Sequence, residues 1–202
     1  MSEEIEILKE INELRKNPSA YTEKIIKNKV YFREGTNVWK GPDCKRAIKT
    51  EEGPAAYDEA IDYLNTKAVP VEELVPSIGM NKIAKDLLVE YQKDVNANID
   101  LEPIIAKYGD FQGKFHRIVE FGGNTAENVV INLIVNDGDP NRSHREILLS
   151  DEIKRIGVAH GIHDSYFFCS VILICTKFDE IDQPTRPIEV GEKVFCSSCT
   201  LI

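Results

Sequence analysis

The sequence predicts an α+β domain, several helices packed on a small sheet. Helical periodicity dominates the first two thirds of the chain, and two strand-like apolar runs fall close together over 156–176. No internal repeat interrupts this pattern. With 202 residues, one core suffices, since a chain of this size buries roughly 70% of the surface it exposes when unfolded.

Residues 3–16 place Ile5, Leu8, Ile11 and Leu14 at three-residue steps, with acids early and bases late, the charge order that complements a helix dipole. Asn17-Pro18 ends that helix, and Pro18 lies near the first turn of a second short one. Residues 28–53 show no period, hold Trp39 beside Gly41-Pro42, and are expected to form a long surface excursion. Pro54 to Leu64 is helical by pattern, as is Met80 to Tyr91, where Ile83, Leu87, Leu88 and Tyr91 share a face. A further helix is expected over Ile99 to Tyr108, and a short one over Lys114 to Phe121. The most apolar helical segment, Ala126 to Val135, closes at Asp137-Gly138-Asp139-Pro140. Ile156 to Ala159 and Tyr166 to Thr176 are the strands, linked through Gly161 and Asp164. From Asp179 onward Pro184, Pro187 and several acids follow without period, the pattern of an extended tail. The expected organisation is one domain over 1–178 and a tail over 179–202.

Composition narrows the function classes. The 25 Lys and Arg stand against 34 Asp and Glu, a formal charge of −9, which repels phosphate backbones, so no nucleic-acid partner is expected. The acidic start, Met1-Ser2-Glu3-Glu4, lacks the basic and apolar regions of a secretory signal. The apolar runs Val129–Val135 and Tyr166–Cys175 are too short to span a bilayer. A cytoplasmic protein is the expectation. Five cysteines, an odd number, do not suggest a paired framework. Cys169 and Cys175 lie within an apolar run, where a thiol behaves as a small buried hydrophobe.

Four histidines are available, His116, His144, His160 and His163. Catalytic zinc needs three protein ligands on rigid elements, and no metalloprotease, serine-hydrolase or phosphate-loop motif is present. His160 and His163 flank Gly161 at an expected hairpin tip and read as exposed loop residues, while His116 reads as the surface of a polar helix. Only His144, in Asn141-Arg142-Ser143-His144-Arg145-Glu146, has a suggestive setting. Periodicity and composition alone stop at an α+β domain of unassigned activity.

Four pieces in order carry a resemblance: Asn17-Pro18-Ser19-Ala20-Tyr21; Gly122 with Ala126-Glu127-Asn128; Asp137-Gly138, Pro140, Arg142 and His144-Arg145; and Gly157-Val158-Ala159. Together they resemble the CAP superfamily (cysteine-rich secretory, antigen 5 and pathogenesis-related proteins), in its bacterial and protist branch, from about Glu3 to Phe178. The resemblance implies a three-layer α-β-α sandwich with a small central sheet and a cleft lined by two histidines and two acids, which in some members bind a divalent cation. It places the second histidine at His144 and the first acid at Glu127. Asn136 occupies the second acid's place, followed by Asp137, and no histidine precedes Phe115 to supply the first. With half the tetrad left, the resemblance implies no metal or other cofactor, and any metal would rest on His144 and Glu127 alone. The pair is expected to be hydrogen-bonded and structural rather than catalytic.

The C-terminal Cys199-Thr200-Leu201-Ile202 fits a prenylation motif, with Cys196 upstream as a palmitoylation candidate. One lipid chain binds a membrane marginally, so both cysteines would be needed. The expectation is a non-catalytic CAP-domain protein tethered to the cytoplasmic face of a membrane. The resemblance implies a lipid or sterol ligand, or a protein partner. The alternatives are a weak metal-dependent hydrolase using the residual cleft pair and a secreted effector or defence protein.

Overall fold

A computed structural model describes residues 2–42, 44 and 46–181. Helix α1 (Glu3–Lys16) buries Ile7, Ile11 and Leu14. The buried stripe therefore follows the 3.6-residue helical period and leaves Ile5 47% exposed, off the three-residue steps expected from the sequence. Asn17 accepts a hydrogen bond from the Ala20 N–H and so caps α2 (Pro18–Lys29), with Pro18 in its first turn. Strands β1 (Val38–Trp39) and β2 (Ile48–Lys49) form a two-residue ladder within the excursion. Trp39 is buried there, its indole N–H donating to the Asn28 carbonyl at 3.0 Å. Helix α3 (Pro54–Thr66), strand β3 (Val75–Pro76) and helix α4 (Ile78–Lys93) follow.

The short α5 (Glu102–Ile105) is all that is helical between Ile99 and Tyr108. The expected helix over Lys114 to Phe121 is overturned, because these residues belong to strand β4 (Gly109–Phe121). Phe115, Ile118 and Phe121 sit at helix-like steps, yet the true period is two. Phe115, Val119 and Phe121 pack toward α4, while Ile118 and Glu120 are buried on the opposite face. His116 accordingly lies on a strand, paired with Ile174. Helix α6 (Ala126–Val135), helix α7 (Ser143–Leu148), strand β5 (Arg155–His163) and strand β6 (Phe167–Glu180) complete the order.

The main sheet runs β3-β5-β6-β4, with β3 parallel to β5 and every other pair antiparallel. Ile118, Ile156, Val158, Ile172 and Ile174 meet α1, α2, α3 and α6 on one face. Ala159, Val171, Leu173 and Cys175 meet α4 on the other. The molecule is an α+β sandwich of three layers. Gly157 permits close approach of α4, since a Cβ there would fall 2.3 Å from the Met80 carbonyl carbon. Strand β6 continues two residues past the expected domain end at 178, with Asp179 opposite Asp110 and Glu180 opposite Gly109. The Glu180 carboxylate accepts from the Ser77 hydroxyl and the Ile78 N–H, which ties it to the start of α4. No helix among the described residues is long and apolar enough to cross a membrane. Cys196 and Cys199 lie outside the described residues.

Candidate functional site

Where the end of β4, helix α6 and the excursion converge, they enclose an open cleft of about 340 Å³. His144, Asn136 and Asp137 line it, as the sequence suggests, but Glu127 does not. Glu127 is exposed on the first turn of α6, and Asn136 caps the far end of that helix. Nine residues of helix rise separate the two ends by about 13 Å. No hydrogen bond joins Glu127 to His144 among the described residues, so the expected structural pair does not form.

Glu120 is a buried acid in the cleft wall that the sequence reading did not single out. Strand alternation turns its side chain inward at 7% exposure. Its Oε1 accepts from Asn132 Nδ2 at 2.8 Å and from the Gly123 N–H at 3.0 Å, while the buried Oε2 has no partner. Burial pushes this carboxyl up to about 7 despite those two hydrogen bonds. Gly123 lets the chain turn tightly over it, since a Cβ there would lie 2.9 Å from Oε2 and 2.6 Å from Val129.

The other expected cleft residues are engaged in shaping it. Asn136 adopts a left-handed conformation at φ 48°, which asparagine tolerates, and its Oδ1 accepts from the His144 N–H at 2.8 Å. Burial holds the His144 imidazole below its ordinary value, with Asp139 pulling the other way. The Ser143 hydroxyl donates to Asp139, and no hydrogen bond joins it to the His144 ring among the described residues. The Asp137 carboxylate accepts from the N–H groups of Glu51, Glu52 and Gly53 at 2.7, 2.9 and 3.3 Å. It thus clamps the end of the excursion at the start of α3. Arg142 reinforces that clamp by pairing both its terminal nitrogens with Glu52.

Sequence reasoning also passed over a row of amides. Asn124, Asn128, Asn132 and Asn136 recur at every fourth position and all line the cleft. The period was legible in the sequence, because side chains four apart share a helix face. Tyr57 O–H donates to Asn28 Oδ1, Asn28 Nδ2 to Asn128 Oδ1, and Asn128 Nδ2 to Asn124 Oδ1. A polar relay therefore runs from α3 through α2 to α6.

Beside the cleft lies a larger groove of about 800 Å³ at the β5–β6 hairpin, lined by Phe121, Ile162, His163, Tyr166, Phe167 and Phe168. The two spaces share Cys44, Ile48, Phe121, Gly122 and Asn124 as a common wall. His160 and His163 are not exposed loop residues, because both belong to β5. His163 is 5% exposed, and its Nδ1 accepts from the Ser165 and Tyr166 N–H groups, which leaves the ring proton on Nε2. His160 Nδ1 lies 2.9 Å from the Ser170 hydroxyl, and its ring stacks on Phe168. Among the described residues no three His, Cys, Asp or Glu side chains come together as a metal-ligand set.

Among solved structures, the chain is similar to an outer surface protein from Borrelia burgdorferi. The likeness covers 53% of this chain and 80% of that one, at 20% identity and a TM-score of 0.43. It is also similar to a cysteine-rich secretory protein from Staphylococcus aureus. There the likeness covers 59% of this chain and 36% of that one, at 15% identity and a TM-score of 0.40. No family model and no curated protein matches the chain.

Proposed function

We propose that the chain is a CAP-like binding domain whose cleft and groove together hold one amphipathic small molecule, a lipid or sterol in class, without turning it over. The observation that carries this reading is the shared wall, which joins a cleft bearing four asparagines and two acids to a largely apolar, aromatic groove. Ligand sites are typically apolar concavities with a few placed polar groups. Here the asparagine row lies at one end, and exposed apolar side chains such as Ile162, at 72% exposure, border the other. Binding rather than turnover is supported by the engagement of Ser143 with Asp139 and by the distance of Glu127 from the cleft.

Nile red, an uncharged fluorophore that brightens in apolar sites, tests the groove. Enhancement by the full chain, and its loss in a folded Ile162→Asp variant, are the expected results. Equal enhancement by parent and variant would remove the groove from the reading. A membrane tether at Cys199 with support from Cys196 is a separate proposal carried by those residues alone. Mass spectrometry of the C-terminal peptide from native cells decides it, with an unmodified Cys199 as the contrary result.

A further inference from the structure

The orientation of the asparagine row says what kind of head group the cleft takes. Asn28 holds its Oδ1 toward the Tyr57 hydroxyl, so it gives its Nδ2 to Asn128, and Asn128 gives its own Nδ2 to Asn124 Oδ1. The row ends with the Asn124 Nδ2 without a protein acceptor among the described residues. Asn136 spends its Oδ1 on the His144 N–H and likewise keeps an Nδ2 donor. Both side chains line the cleft, which is thereby supplied with amide donors at both ends of the row.

Charge and hydrogen bonding together weigh against two of the three head-group classes. The described lining holds the carboxyl groups of Glu120 and Asp137 and no lysine or arginine. An anionic head would meet the Asp137 carboxylate, with no lysine or arginine in the described cleft lining to offset it. A cationic head would leave the Asn124 and Asn136 donors facing donors, and of the two acids it would meet, Asp137 already accepts from three N–H groups and Glu120 holds its proton up to about 7. An uncharged head with an acceptor oxygen satisfies the amides and meets no like charge.

We propose that the cleft selects an uncharged head group bearing a hydroxyl or carbonyl oxygen, with Asn124 and Asn136 as the residues that read it. This rests on the binding reading above, in which the apolar body lies in the adjoining groove. The amide relay from Tyr57 sets the polarity of Asn124, so Asn28 and Asn128 act as positioning residues for it.

Trp39 lines the cleft and is the only tryptophan, so its emission reports occupancy. The full chain is titrated with dodecanol, dodecanoate and dodecylamine, at a salt concentration that screens general attraction to its acidic surface. Dodecanol is expected to bind at least about tenfold more tightly than either charged analogue. Asn124→Asp keeps the acceptor toward Asn128 but removes the donor, and is expected to reverse the order of dodecanol and dodecylamine in a variant whose circular dichroism matches the parent. Dodecanoate or dodecylamine binding the parent as tightly as dodecanol would overturn the head-group assignment while leaving the binding reading intact. An unchanged order in Asn124→Asp would overturn the role of Asn124. If none of the three alters Trp39 emission, the binding reading itself fails and this inference with it.

Discussion

Glu120→Gln should stabilise the protein at alkaline pH and leave it nearly unchanged in acid. The folded protein holds the Glu120 proton up to about 7, against an ordinary value of 4.5. Folding therefore favours the protonated form. The stability that Glu120 contributes is fully present below the unfolded value and is lost as pH rises through the folded one. At 1.36 kcal/mol per pH unit, that window amounts to about 3 kcal/mol. A glutamine is neutral throughout, and its carbonyl can keep the bonds from Asn132 and Gly123 that Oε1 now accepts. Urea unfolding of parent and variant at pH 5, 6.5 and 8 provides the comparison. The variant should exceed the parent by less than about 1 kcal/mol at pH 5 and by about 3 kcal/mol at pH 8. A difference that stays constant across the three pH values would refute the raised value and the burial invoked to explain it.

Other perturbations follow from the same contacts. Arg15 is fully buried and donates to the carbonyls of Glu72, Leu148 and Ser150, so Arg15→Met should cost about 2–4 kcal/mol in chemical denaturation by leaving those carbonyls unpaired. Asp137→Ala frees three N–H groups at the start of α3 and should cost about 1–2 kcal/mol, with faster amide exchange at Glu51 and Glu52. Glu127→Ala removes an exposed side chain outside the cleft, so its unfolding midpoint should reflect a change within about 0.5 kcal/mol of the parent.

The helices were legible where one face is apolar over several turns, and α6 matches its expected limits at Ala126 and Val135. The two β5 and β6 segments were legible for the same reason, as continuous apolar runs in a sheet covered on both faces. Strand β4 was not, because its polar residues Gln112, Lys114 and Arg117 interrupt an alternation that only the neighbouring β6 completes. The cleft acid was lost with it. The resemblance placed the first acid at Glu127, and with Glu120 expected on a helix nothing in the sequence marked its side chain as turned inward. His160 and His163 were misplaced because the hairpin turn falls three residues later than Gly161 suggests, at 164–166. His144 and Asn136 were named through the resemblance, and the structure places both along the cleft. The asparagine row needed only the four-residue period that α6 itself obeys.

The most direct test of the binding site is a ¹⁵N-edited NMR titration of the full chain with dodecanol, read at the asparagine side-chain amides and the Trp39 indole. The amide signals of Asn124 and Asn136 and the Trp39 N–H are expected to shift together and saturably. Signals of the distant surface around Lys16 and Lys154 are expected to stay in place. Saturable shifts at that distant surface, with Asn124, Asn136 and Trp39 unmoved, would contradict the account.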